Sequence, residues 1–297
     1  MIYRRILQAS LLFFVVVVLS TLNSCEKFSG DQSVPAYISI DSIALQISDP
    51  GVEGTASHSI TDAWVFIDDE ALGAFQLPAC FPVLKKGPHK MTVYAGIKRD
   101  GIGSTRVTYP FYAMIQKDLT LAEADTVPIK LLKATYETTT SFTWKEDFED
   151  ISLSLDTTTR SNTGLHTTTS GSPLTFEGSH SGMIVLDSTH NFFEIATHDQ
   201  YSIPVNKPIY LEMNFNTNLQ FNVGVYIYAS GYLVYQVPIL TLVPTNNKWK
   251  KIYIDLSVSL NAYTGGQSYR VYMANFVGQD VTGGRVLLDN FKLVTRK

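Results

Sequence analysis

Cysteine is nearly missing from this chain of 297 residues, which has only Cys25 and Cys80. Two thiols cannot form a disulfide framework, so the fold must rest on apolar cores. Charge is also sparse: 17% of residues are charged, the formal net charge is −4, and no Lys/Arg cluster interrupts the acidic balance. This argues against a nucleic-acid partner. After the first two dozen residues no segment keeps a helical period for three turns, and Lys117 to Ala124 can supply at most one short turn. Gly-x-Ser-x-Gly, His-Glu-x-x-His and paired cysteines are all lacking, and the six histidines are scattered. A hydrolase would have to gather its site from distant residues. Catalysis is therefore the least favoured function, no cofactor is required, and Cys80, in the apolar segment Leu77–Pro82, reads as a small buried hydrophobe.

What is present begins with Arg4 and Arg5, followed by an apolar run from Ile6 to Leu19 that includes Phe13, Phe14 and four consecutive valines. A spanning helix needs roughly 20 apolar residues, so this layout predicts a cleaved leader over residues 1–24. Next comes Leu22-Asn23-Ser24-Cys25. The tetrapeptide resembles the lipobox of bacterial lipoproteins, with an aliphatic residue three before the cysteine and a small one just before it; Asn23 is a less usual second residue. The resemblance implies acylation at Cys25, hence a membrane partner through that lipid and a place in the cell envelope as an outer-membrane lipoprotein. Whether the chain faces the periplasm or the outside is left open. Residues 25–34, polar and containing Gly30, form a short tether.

About 270 residues follow the leader, and 45% of the chain is hydrophobic and 12% aromatic, enough for two domains with substantial cores. Runs of Val, Ile, Tyr, Phe and Thr, punctuated by Gly, Pro, Asn and Asp about every ten residues, predict an all-β fold. Residues 35–135 form the first domain. Within it Ala63 to Gly73 reads as a hairpin turning at Asp68-Asp69, its second strand ends at Leu77-Pro78, and Gly87-Pro88-His89 leads into Met91–Tyr94. This order is similar to PEGA-type and other immunoglobulin-like modules of envelope proteins, which implies a β-sandwich.

A Thr-rich linker over 136–143 precedes a second domain, 144–297. It opens with Asp147-Phe148-Glu149-Asp150, continues through Glu177-Gly178-Ser179-His180-Ser181-Gly182, and closes with Leu287-Leu288-Asp289-Asn290-Phe291. These features resemble the jelly-roll β-sandwiches of carbohydrate-binding modules, in which the opening strand pairs near the closing one. Leader, small sandwich and terminal jelly roll together look like the surface or periplasmic lipoproteins of the Bacteroidota. That group O-glycosylates Asp-Ser/Thr tripeptides, which here occur at Asp41-Ser42-Ile43, Asp125-Thr126-Val127, Asp156-Thr157-Thr158 and Asp187-Ser188-Thr189.

Two sets of residues carry candidate chemistry. In Phe221–Tyr228 the odd positions are apolar, so Asn222, Tyr226 and Tyr228 should face outward. With Tyr235 and Gln236 beyond the turn at Ala229-Ser230-Gly231, and Arg270 on a later strand, they make a candidate glycan platform, since aromatic planes suit sugar rings and polar groups suit hydroxyls. Tyrosine also simply suits half-buried strands. The second set is acidic: strand alternation would put Asp147 and Glu149 on one side and Glu146 and Asp150 on the other, which is not a glycosidase pair. The jelly-roll resemblance implies instead a structural calcium held by Glu149, Asp150 and Asp289. Trp249, Trp64 and Trp144 are read as packing residues. Two functions remain in view: a lipid-anchored glycan-binding protein, and an accessory subunit of an envelope protein assembly.

Overall fold

The computed structural model describes Tyr3 and residues 34–297 apart from 205, 264 and 279–282. The rest of the leader and Cys25 lie outside the described residues. Among the described residues no helix is long and apolar enough to cross a membrane.

The first half contains strands β1 (Ala36–Ile40), β2 (Ile43–Leu45), β3 (Asp62–Ile67), β4 (Glu70–Gln76) and β5 (Ala79–Val83). They are followed by β6 (Gly87–Lys98), β7 (Arg106–Thr108), β8 (Ile115–Leu121), β9 (Thr126–Ile129) and β10 (Leu132–Ala134). One helical turn, α1 (Pro50–Glu53), is capped by Asp49, whose carboxylate accepts from the Gly51 and Val52 amides. The predicted hairpin is β3–β4. Asp68 and Asp69 both take positive φ, 52° and 66°, the backbone a tight two-residue hairpin turn requires. β6 is the spine of the larger sheet, pairing with β3, β7 and β8, while β5, β1 and β9 form a smaller sheet and β2 pairs with β10. Ile38, Ile40, Val65, Ile67, Met91, Val93 and Phe111 fill the space between them.

Two expectations fail here for one reason, the period of two along a strand. In β8, Leu119 and Leu121 are buried while Asp118 and Thr120 are exposed, so of the anticipated helical turn at Lys117 to Ala124, Lys117 to Leu121 is strand and only Glu123-Ala124 is a turn. In β5, Phe81 and Val83 point to the core and Cys80 with Pro82 points out; Cys80 is an exposed free thiol.

The second half contains β11 (Thr140–Glu146), β12 (Leu155–Thr157), β13 (His166–Thr167), β14 (Gly182–Leu186), β15 (Phe192–Thr197) and β16 (Ile209–Thr217). After them come β17 (Phe221–Ala229), β18 (Tyr232–Leu242), β19 (Lys250–Asp255), helix α2 (Ser257–Ala262), β20 (Ser268–Phe276) and β21 (Gly284–Arg296). One sheet has the order β13-β14-β21-β16-β19, with β11 also on β21; the other runs β12-β15-β20-β17-β18. Phe221, Val223, Val225 and Ile227 are the core face of β17, as their spacing predicts. They pack on Leu211, Met213, Phe215, Ile252, Ile254 and Leu288 of the opposite sheet. Truncating a buried phenylalanine such as Phe221 to alanine costs roughly 3–5 kcal/mol. The opening strand pairs with the closing one, Glu146 opposite Phe291. The chain is thus all-β and sandwich-built. Thr140–Thr143 of the Thr-rich stretch belongs to β11 and is hydrogen-bonded into this sheet.

The outer face of the β21-β16-β19 sheet is covered by the first half. Tyr210, Tyr253 and Val294 join the first half's apolar core. At the centre of the contact Glu212 is fully buried beside Lys251, 3.1 Å away. Its other oxygen accepts from Tyr109 at 2.7 Å and Tyr136 at 3.0 Å. Lys292, also buried, donates to the Thr55 carbonyl at 2.6 Å and to Tyr136 at 3.3 Å. Burial alone would raise the Glu212 pKa, but the ammonium groups of Lys251 and Lys292 and the Tyr109 hydroxyl hold it below its ordinary value. Burial, the largest influence on Lys292, brings its pKa down to about 8 despite Glu212.

Candidate functional site

The predicted platform is gathered onto one sheet, yet its central tyrosine is covered. Asn222, Tyr226 and Tyr228 lie on β17, Tyr235 and Gln236 on β18, and Arg270 on β20, with Tyr226 opposite both Gln236 and Arg270. Tyr226 is only 4% exposed. Its ring stacks on Tyr272 at 4.7 Å, and Arg160, from the loop after β12, reaches over to donate to its hydroxyl at 3.0 Å. The same guanidinium pairs with Glu194 and donates to Gln236 at 3.1 Å, while Gln236 donates to Glu194 at 3.1 Å. Burial would raise the Glu194 pKa, but hydrogen bonds from Tyr226, Arg160 and Thr158 hold it below the ordinary carboxylate value.

The remaining members are also engaged. Asn222 accepts from Thr241 at 2.6 Å. Arg270 donates to the Thr197 carbonyl and lies 3.7 Å from Asp156. Tyr228 is half-buried. Tyr235 pairs with Ile227, a core-face residue, so it leaves the sheet on the side opposite Tyr226 and packs on Tyr263 at 4.8 Å. The alternation correctly assigned faces along β17, but nothing local announced that Arg160 would reach over the Tyr226 hydroxyl.

The acidic set does not assemble either. β11 ends at Glu146, which turns inward to accept from the Phe148 and Ser154 amides, and Phe148 has φ 63°, so 147–150 has no strand alternation. Glu149 accepts from the Ser179 and His180 amides at 2.8 and 3.0 Å, and Asp150 is exposed. Asp289 is buried against Ser181 at 2.5 Å and the Asn290 amide at 2.8 Å. Among the described residues no group of three or more His, Cys, Asp or Glu side chains is placed to hold a metal ion.

A different site is open, where the two halves meet. There a cleft of about 640 Å³ runs along the exposed edge of β19. Its size falls in the range of small-ligand pockets. The first half reaches β19 through the turn after β6: Arg99 bridges Tyr253, the Asp100 amide donates to the Tyr253 carbonyl at 2.9 Å, and the Asp255 amide donates to the Asp100 carboxylate at 2.8 Å. Asp100 and Gly101 have φ 56° and 69°, the left-handed turn that lets the chain double back. A second loop, Ser57-His58-Ser59, is fixed by the Ser59 amide donating to the Tyr253 hydroxyl at 2.9 Å.

Across the cleft stand Trp249 and Phe176, their rings 5.2 Å apart at 48°. Trp249 follows the Asn246-Asn247 turn, both residues at positive φ, and is half-buried rather than packed away as its sequence suggests. Its fellow Trp144 is in the core, 4% exposed, whereas Trp64 is half-buried on the outer face of β3. The cleft floor offers Asn214, which accepts from Ser57 at 2.7 Å, together with Lys251 and Tyr253. Lys98 and Lys250 also line it. Asp100 is its one carboxylate among the described residues; burial, as the largest cause, raises its pKa. Two aromatic faces over a polar floor can seat a ring that is apolar on its faces and polar at its edge. Sequence reasoning missed this site because its parts come from segments up to about 200 residues apart. The available signal was the Lys248–Lys251 run around a tryptophan at the head of a strand.

No family model matches the chain, and no curated protein matches it. Among solved structures, similar folds include a carbohydrate-binding module of the β-sandwich superfamily, at 12% identity and TM-score 0.39, covering 79% of this chain and 85% of that one. The xylan-binding domain of a family 22 carbohydrate-binding module is similar at 13% identity and TM-score 0.35, over 52% of this chain and 94% of that one. The enzymatically active domain of tailspike protein 4 from bacteriophage CBA120 is similar at 12% identity and TM-score 0.38, over 51% of this chain; the chain spans 20% of that protein's length. The structural neighbours are thus mainly carbohydrate-binding β-sandwiches at low identity.

Proposed function

We propose that this protein is a lipid-anchored, non-catalytic outer-membrane lipoprotein that binds a glycan in the cleft between its two halves. The observation that carries this reading is the pairing of Trp249 and Phe176 opposite the polar loops at Ser57–Ser59 and Lys98–Gly101. Glycoside hydrolysis uses two carboxyl groups flanking a bond. Asp100, the cleft's one lining carboxylate, is already occupied by the Asp255 amide and lies 3.9 Å from Arg99, which favours binding over turnover. The anchor rests on the leader and on Leu22–Cys25. Two or more acyl chains hold a protein far more firmly than one.

The test is binding of the mature chain in detergent to a glycan array, followed by titration of the strongest ligand. Trp249→Ala should weaken binding by about tenfold or more, as loss of an aromatic stacking partner does, with an unchanged unfolding midpoint. Retained affinity would remove the cleft from consideration. Cys25→Ala should shift the chain from the membrane to the soluble fraction.

A second reading, an accessory subunit of an envelope assembly, is favoured by β18. This edge strand exposes Tyr232 (78%), Leu233 (52%), Val234 (46%) and Tyr235 (49%) in succession. Unpaired apolar edges are templates for added strands. Co-purification of a fixed partner that Val234→Lys abolishes would support it.

A further inference from the structure

We propose that the cleft selects an anionic glycan, one whose sugar units carry carboxylate or sulfate groups. This deepens the glycan-binding reading and rests on it. Among the described residues Lys98, Lys250 and Lys251 line the cleft against a single carboxylate, Asp100, which is committed to the Asp255 amide. The concentration of positive charge is local, since the whole chain carries −4.

Lys251 is the decisive residue. Its side chain is 2% exposed, yet its ammonium donates no well-aligned hydrogen bond among the described residues. Among the described residues its single ionic contact is Glu212, and the oxygen it approaches likewise lacks an aligned donor. Lys292 reaches the same carboxylate through the Tyr136 hydroxyl, to which it donates at 3.3 Å and which donates to Glu212 at 3.0 Å, so the buried cluster holds two ammonium groups for one carboxylate. A buried ammonium has three donors to satisfy, and an unbalanced cation at low dielectric strongly favours a nearby anion. A carboxylate or sulfate entering between Trp249 and Ser57 would meet Lys250 and Lys98 at the rim and feel, from beneath the floor, the net positive charge of the cluster to which Lys251 belongs. A neutral sugar would stack on Trp249 equally well but leave that charge unanswered.

The experiment compares matched ligands on the full mature chain in detergent: oligogalacturonate against its methyl ester, and sulfated dextran oligomers against unsulfated ones. At least one acidic member should bind about tenfold or more tightly than its neutral twin, the advantage of a charge-assisted hydrogen bond. The preference should shrink in Lys98→Gln and Lys250→Gln, whose exposed or half-exposed side chains can change without unfolding, and as salt rises. Binding should also weaken by about tenfold or more in Trp249→Ala. Equal affinity for neutral and acidic twins, with Trp249 still required, would overturn the proposal and leave glycan binding intact. Acidic binding insensitive to Trp249→Ala would overturn it as adventitious polyanion attraction. No binding by any member of a broad neutral and acidic set, with the protein folded, would overturn the glycan reading itself.

Discussion

Asp289 gives a stability prediction that can be worked from the structure. Its carboxyl is 1% exposed and has two donors, the Ser181 hydroxyl and the Asn290 amide. Burial raises its pKa to about 7, helped by the nearby charges of Glu177 and Asp147 and only partly opposed by those two donors. An unfolded aspartate releases its proton near 3.9. Between these values the folded chain holds a proton that the unfolded chain has lost, so stability falls as pH rises from about 4 to about 7 and is constant in this respect beyond. The rise from about 3.9 to about 7 corresponds to about 4 kcal/mol. Asp289→Asn is neutral throughout; its oxygen can accept from the Asn290 amide and its NH₂ can donate to Ser181, because a hydroxyl both donates and accepts. The assay is urea unfolding of both proteins at a series of pH values, compared as a difference so that other titrating groups cancel. The variant should gain on the parent by up to about 4 kcal/mol between pH 3.5 and 8. Parallel curves would refute the assigned burial. Repeating the series with calcium tests the calcium expectation: an ion at Asp289 would stabilise the parent at pH 8 and leave the variant unmoved.

Two further perturbations probe the architecture. Glu212→Gln leaves Lys251 and Lys292 buried without a countercharge, and should cost about 3–5 kcal/mol in denaturant unfolding. A loss under 1 kcal/mol would mean that water reaches the joint. Gly224→Ala places a Cβ against the Val237 carbonyl and 2.5 Å from the Tyr272 ring; it should cost about 1–3 kcal/mol and disturb the near-ultraviolet signal of the Tyr226–Tyr272 stack.

Local rules recovered the fold where one residue dictates one backbone state. Asp68-Asp69 announced the first hairpin, and the alternation of Phe221, Val223, Val225 and Ile227 announced β17. They failed where composition concealed alternation, as at Cys80, whose apolar neighbours masked its outward position in β5. The candidate site was less legible. Tyr226 lies on the face its position predicts, but a face becomes a surface only if nothing else covers it, and Arg160 comes from 66 residues away. In β16, Glu212 and Asn214 alternate with Leu211, Met213 and Phe215 as a solvated face would, yet every residue of the strand is buried. The polar pattern marks a second, polar contact rather than water.

That contact bears on how the cleft can work. Its walls come from both halves, and the same strand, β19, supplies its floor through Lys251 and Tyr253 and the joint through the Asp100 and Ser59 hydrogen bonds. A flexible hinge would have to break the Glu212 cluster and expose Tyr210, Tyr253 and Val294 to water. Burying such side chains is worth about 1.5–3 kcal/mol each, so the open form is strongly disfavoured. The cleft is therefore preorganised, and a ligand need not provide the free energy to form it. Either half alone would lack one wall and would expose a face carrying buried charge, so ligand binding and the stability of the joint should rise and fall together: weakening the joint by Val294→Ala, which leaves the charges around Lys251 unchanged, should lower affinity at the cleft although Val294 does not line it.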